Sequence, residues 1–250
     1  MTRIKLLMIS LCIILLAACS DDDENVNAAF NLNISGLEDL GPDANYEGWL
    51  IVDGSPVSTG LFTVNSSGVL SQTSFEVSAE DLELASTFVL TIEPSPDPDP
   101  APSDVHILAG DFSGNSANLD ISHPAALGED FSSSDGTYIL ATPTDGENNN
   151  ENSGIWFLDP SSGSPQAGLT LPTLPAGWIY EGWAVINGTP VSTGTFSSVS
   201  GMDDDALFSG SMAGPPYPGE DFLNNAPFDL VFPTDLSSGV AVISIEPVPD

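Results

Sequence analysis

The chain has 250 residues, with 2 Lys and Arg against 36 Asp and Glu, for a formal net charge of −34. Both cations, Arg3 and Lys5, stand at the extreme N-terminus, so nothing beyond residue 5 can grip a phosphate. Nucleic-acid binding, nucleotide chemistry and Lys/Arg salt bridges in the folded part are excluded on that ground. A hydrophobic content of 41% with 12 Phe, 4 Trp and 4 Tyr argues against disorder, and 23 Gly with 21 Pro calls for many turns.

Residues 1–18 read as a lipoprotein signal peptide, in which Arg3 and Lys5 precede an apolar run from Leu6 to Ala18 that is too short for a bilayer span of about 20 residues. Leu16, Ala17, Ala18 and Cys19 resemble the bacterial lipobox, which implies cleavage before Cys19 and its acylation. Processing would leave a charge of −36 and, with Cys12 removed and Cys19 acylated, no thiol for a disulfide, metal site or nucleophile. The run Ser20, Asp21, Asp22, Asp23 and Glu24 resembles the acidic export signal of surface lipoproteins. It implies a lipid-anchored protein on the outer face of the outer membrane, with a periplasm-facing anchor as the alternative. Residues 19–28 are expected to form an acidic tether.

Short aromatic and β-branched runs follow, bounded by Gly, Pro, Ser and Asp. They predict strands over Phe30–Ile34, Tyr46–Val52, Phe88–Ile92, Val105–Leu108, Tyr138–Ala141, Ile155–Leu158, Tyr180–Ile186 and Val240–Ile245. Asp53-Gly54 and Asn187-Gly188 predict tight hairpin turns, with returning strands through Val57 and Val191. Only Ala79 to Ser86 suits a short helical turn. The expected class is all-β, two tandem antiparallel β-sandwich-like domains, with the first over 29–112 and the second, including its connecting strands, over 113–250.

The two domains come from an internal repeat. Tyr46, Glu47, Gly48, Trp49, Gly54, Pro56, Val57, Ser58, Thr59, Gly60 and Phe62 recur as Tyr180, Glu181, Gly182, Trp183, Gly188, Pro190, Val191, Ser192, Thr193, Gly194 and Phe196, eleven identities in seventeen aligned positions. A second shared block is Leu90–Pro94 against Ile243–Pro247. The offset grows from 134 to 153, so the second copy carries about 19 extra residues within 201–229. The first copy continues into the strand-like Val105–Leu108, whereas the second stops at Asp250. An open sandwich edge invites foreign pairing, and the expectation is that the 112–160 segment covers it.

Leu174-Pro175-Ala176-Gly177-Trp178-Ile179-Tyr180-Glu181-Gly182-Trp183, the Gly188–Phe196 hairpin and Ile245-Glu246-Pro247 resemble the extracytoplasmic C-terminal β domain of anti-sigma-K factors. The first copy matches the same pattern over Leu37 to Gly110. The resemblance implies a recognition or sensing module facing an extracellular or envelope ligand. A full anti-sigma-K factor also carries a sigma-binding helical domain and a transmembrane helix, and no segment here reads as either, so direct sigma-factor binding is not expected. A periplasmic component of anti-sigma envelope signalling is the alternative function.

Chemistry has few candidates. His106 and His123 are the only histidine bases, no Gly-x-Ser-x-Gly elbow is present, and both histidines read as structural. A carboxylate-dependent glycosidase is the enzymatic alternative, yet 36 acids nominate no pair. No cofactor is expected; weak calcium binding is the one metal chemistry that the acidic loops at Asp97 and Asp99, Asp203–Asp205 and Asp145–Glu151 admit, and none has the EF-hand order. Trp49 and Trp183 read as core residues, with Glu47 and Glu181 facing the other way. The candidate binding loop is 214–222, for its Tyr217, Glu220, Asp221 and Phe222.

Overall fold

Asp53 (φ 49°) with Gly54 (φ 77°), and Asn187 (φ 52°) with Gly188 (φ 85°), each put two successive residues in the left-handed region that a two-residue hairpin needs. Around these turns a computed structural model, which describes residues 26–146 and 149–249, folds each repeat into a hairpin of the same register. In the first, β2 (Ala44–Val52) pairs with β3 (Ser55–Phe62), following β1 (Asn27–Asn31). Then come β4 (Ser74–Ser78), α1 (Ala79–Leu84), β5 (Ala85–Pro94), β6 (His106–Ser113) and β7 (Ser116–Ala117).

These strands make an antiparallel sheet ordered β3-β2-β5-β6-β7, with β1 and β4 paired as a second, smaller layer. Leu50 and Phe88 on the sheet meet Phe75 and Val77 of β4, and Tyr46, Phe62 and Leu90 complete the core between the layers. The opposite face of the sheet is also covered, because Trp49, Val89 and Ala109 pack with Ala126. The first packing unit therefore extends past residue 112. Strand β1 begins three residues before the expected Phe30, since its partner β4 fixes the register at Phe30↔Phe75. The helical turn falls where the sequence places it: the Ser78 hydroxyl caps α1 by accepting from the Asp81 N–H at 3.3 Å.

Short strands β8 (Asp135–Gly136), β9 (Ile139–Leu140), β10 (Gly154–Trp156), β11 (Leu158–Asp159), β12 (Gln166–Ala167) and β13 (Leu169–Thr170) precede the second repeat. That repeat holds β14 (Trp178–Ile186), β15 (Thr189–Phe196), β16 (Gly219–Asp221) and β17 (Val240–Pro247). Its main sheet is ordered β15-β14-β17, and a β16-β10-β9 sheet packs on it through Ile155, Phe157 and Phe222. The described residues are thus all-β apart from α1 and a 3-10 turn at Glu151–Ser153, and their sheets are antiparallel. No helix among the described residues is long and apolar enough to cross a membrane.

One expectation fails. Segment 112–160 does not cover the β17 edge: β9 pairs with β10, β10 pairs with β16, and among the described residues β17 pairs with β14 alone. Apolar side chains of this segment pack into the second core, and its strands β8 to β11 pair there with one another or with β12, β13 and β16.

Candidate functional site

The Tyr-Glu-Gly-Trp strand shares its tyrosine and glutamate hydrogen bonds between the two copies. Tyr46 donates to the Glu38 carbonyl at 3.1 Å and stacks on Phe62; Tyr180 donates to the Pro172 carbonyl at 2.9 Å and stacks on Phe196. Ser58 donates to Glu47 and Ser192 to Glu181. Pro56 and Pro190 sit on β3 and β15, the outer strands of their sheets, where a missing N–H costs no ladder bond on the free side.

Gly48 and Gly182 leave room for an aromatic ring. A Cβ at Gly48 would lie 2.8 Å from the Phe88 ring, and one at Gly182 would lie 3.1 Å from Phe157. The residue of β17 in register with Phe88 is Ala241, so in the second copy a ring from outside the repeat fills the same hole.

Glu47 and Glu181 do not face away from the tryptophans, as expected above; positions two apart on a strand share a face. Trp49 Nε1 donates to Thr91 Oγ1 at 2.9 Å, and Thr91 donates to Glu93, whose carboxylate also accepts from the Ser103 N–H at 3.0 and 3.1 Å. Burial pushes the Glu47 carboxyl up, and the Ser58 hydrogen bond opposes the shift. In the second copy Trp183 Nε1 donates to Ser244 Oγ at 2.7 Å. Trp49 is 4% exposed under Ala109 and Ala126, whereas Trp183 is half-buried beside Val242, which is 39% exposed. Core packing therefore describes Trp49 and only partly Trp183.

The candidate binding loop is mostly interior. Phe222 is buried against Phe208 and Phe232; Glu220 and Asp221 are buried in β16, and of the four candidate residues only Tyr217, donating to the Pro165 carbonyl at 2.8 Å, is partly exposed. Asp221 accepts from the Thr144 N–H at 2.8 Å, the Thr144 hydroxyl at 2.5 Å and Trp156 Nε1 at 2.7 Å. Glu220 accepts from Ser209 and from the Phe208 N–H. Burial pushes both carboxyls up against these hydrogen bonds. Asp203, accepting from the Gly219 N–H at 2.7 Å, is pushed up to about 7 by burial, with the Glu220 charge adding. These acids anchor the extra residues of the second copy onto β10 and the Thr144 turn.

The other acidic loops bond locally. Asp97 accepts from the Asp99 N–H at 2.9 Å, Asp99 from the Ala101 N–H at 3.0 Å, and Asp204 from the Thr195 N–H at 2.7 Å. Glu151 accepts from the Thr142 N–H at 3.3 Å, and Glu147 lies outside the described residues. Among the described residues no three His, Cys, Asp or Glu side chains are grouped to hold a metal ion.

The two histidines bracket Ala125. His106 Nδ1 lies 3.0 Å from the Ala125 carbonyl, and His123 Nδ1 accepts from the Ala125 N–H at 3.1 Å while its Nε2 lies 3.4 Å from Asp111. They hold the segment that covers Trp49.

A cavity of about 970 Å³ opens in the first domain between β1 with α1 and the β6–β7 side. Phe30, Leu32, Leu82, Phe88, Leu108 and Phe112 give it apolar walls, and Asn31, Asn33, Asn115 and Asn118 supply amides, with Glu83 its one charged group. No local signal announces it, because its walls come from residues 29–35, 79–88 and 108–119.

The anchor residues Leu16, Ala17, Ala18, Cys19, Ser20, Asp21, Asp22, Asp23 and Glu24 lie outside the described residues. No curated protein and no solved structure matches the chain. A family model does, over residues 23–105, and its description is Anti-sigma-K factor rskA, C-terminal. The match spans β1 to β5, the sandwich that holds most of the cavity wall, so the first domain of this chain is similar to the C-terminal domain of anti-sigma-K factors.

Proposed function

We propose that the protein is a non-enzymatic, lipid-anchored recognition module on the outer face of the outer membrane, and that its first domain binds a neutral amphipathic ligand. The observation that carries this reading is the cavity of about 970 Å³ in the family-matched domain, with apolar walls and an amide rim. An anionic ligand is disfavoured because the chain has no Lys or Arg beyond residue 5 to hold it. The lipobox-like Leu16–Cys19 and the acidic run after it support the anchor and its placement.

Antibody labelling of intact cells, with and without permeabilisation, tests the placement. Labelling of intact cells supports surface display; labelling only after permeabilisation transfers the protein to periplasmic envelope signalling, which the family match favours. Cys19→Ala is expected to lose incorporation of a lipid probe, and unchanged incorporation would remove the anchor. For the cavity, the neutral dye Nile red is expected to gain fluorescence on titration with the protein, and Leu108→Trp to weaken that binding about ten-fold by filling the space. Equal binding by the variant would place the dye elsewhere.

A further inference from the structure

We propose that β17 is a docking edge: an extended, non-acidic segment of another protein adds beside it as an antiparallel strand. The first copy shows what belongs there. The Ser95 N–H donates to the Asp43 carbonyl at 2.8 Å, which sets the antiparallel alternation so that Phe88, Leu90 and Ile92 turn their backbone groups away from β2 and toward β6. Strand β6 meets them in register, Gly110 on Phe88 and Leu108 on Leu90, and the Ile92 N–H donates to the Val105 carbonyl at 3.0 Å.

In the second copy the Val248 N–H donates to the Gly177 carbonyl at 2.8 Å, and the same alternation turns Ala241, Ile243 and Ile245 outward. Among the described residues no strand meets them. The sheet face behind that edge is unfinished too. Ala109 and Ala126 cover Trp49, while Trp183 stays half-buried and Val240 and Val242 are 61% and 39% exposed. An added strand with a small residue opposite Val242, where β6 has Ala109 opposite Val89, would complete the arrangement.

Charge selects the occupant. The chain carries −34 and no cation beyond Lys5, so a second copy would bring like charge to the edge, and a neutral or basic segment is favoured. The edge belongs to the β15-β14-β17 sheet and the cavity to the first domain, so neither proposal depends on the other.

The test uses the full chain and a dye-labelled peptide of the sequence 104–112 carrying Asp104→Lys and Asp111→Lys. Fluorescence anisotropy is expected to show binding, and hydrogen exchange to show protection at Ala241, Ile243 and Ile245. N-methylation of the peptide at Leu108 and Gly110, which face the edge, is expected to weaken binding at least about ten-fold, and N-methylation at Ala109 and position 111, which face away, to leave it within about two-fold. Equal loss from both methylation patterns would reduce the binding to nonspecific attraction and overturn the proposal. So would absence of binding, or protection confined to the first domain. A dimer whose β17 amides are already protected without peptide would assign the edge to a second copy and overturn the proposal of a foreign partner.

Discussion

Trp49 and Trp183 are the same residue in the repeat, but they do not contribute equally. Trp49 Nε1 feeds a buried chain through Thr91 to Glu93, whereas Trp183 bonds a Ser244 hydroxyl beside an open edge. Trp49→Phe is expected to cost about 2 kcal/mol, from the lost donor and the imperfect fit, and Trp183→Phe under about 1 kcal/mol; chemical denaturation of the two variants checks this. Asp203 makes a pH prediction. Its folded pKa of about 7 lies above its ordinary 3.8, so between these values the folded chain holds a proton that the unfolded chain releases. Stability contributed through this group therefore rises as pH falls from about 7 toward 4, and the ionised form destabilises the fold above 7. The repulsion within a −34 chain also relaxes on acidification, so the variant isolates the site: Asp203→Asn is expected to flatten the rise in melting temperature between pH 8 and pH 5. A slope identical to that of the parent would remove Asp203 as its source.

Among the elements, the repeated hairpin is the conserved piece of architecture, and the ring above its central glycine is what varies. A Cβ at Gly48 would stand 2.5 Å from Thr59 Oγ1 and 2.8 Å from Phe88; at Gly182 it would stand 2.3 Å from Thr193 Oγ1 and 3.1 Å from Phe157. Gly48→Ala and Gly182→Ala are each expected to destabilise by about 2–3 kcal/mol through overpacking. Partial rescue should be specific: Phe88→Leu for the first and Phe157→Leu for the second, read as coupling energies in a double-mutant cycle. Rescue of Gly182→Ala by Phe88→Leu would contradict the arrangement. The hairpins were legible in the sequence because turn chemistry and alternation are local. The ring from Phe157 was not, because nothing in the repeat marks a filler that comes from another segment.

For the whole molecule, charge without counter-charge is the governing condition. With a formal −34 and both cations in the first five residues, self-repulsion at neutral pH is relieved by solution ions and not by internal counter-charges. Melting temperature is expected to rise with sodium chloride and to rise equally, within about 2 °C, with calcium chloride at matched ionic strength, since the acids at Asp97, Asp99 and Asp204 are engaged with their own loops. A larger rise with calcium would reveal a site that these loops do not suggest.

The sequence by itself determined the all-β class, the duplication, both hairpin turns, the α1 turn and the resemblance of the first copy to the anti-sigma-K C-terminal domain. Each of these rests on spacing within a few residues or on comparing the chain with itself. Tertiary structure alone decided the rest. It buried Glu220, Asp221 and Phe222 in β16, formed a cavity from three distant segments, and used residues 135–170 to close a core while leaving the edge of β17 open. Burial and edge pairing depend on which segments meet, and residues distant along the chain carry no local mark of that meeting.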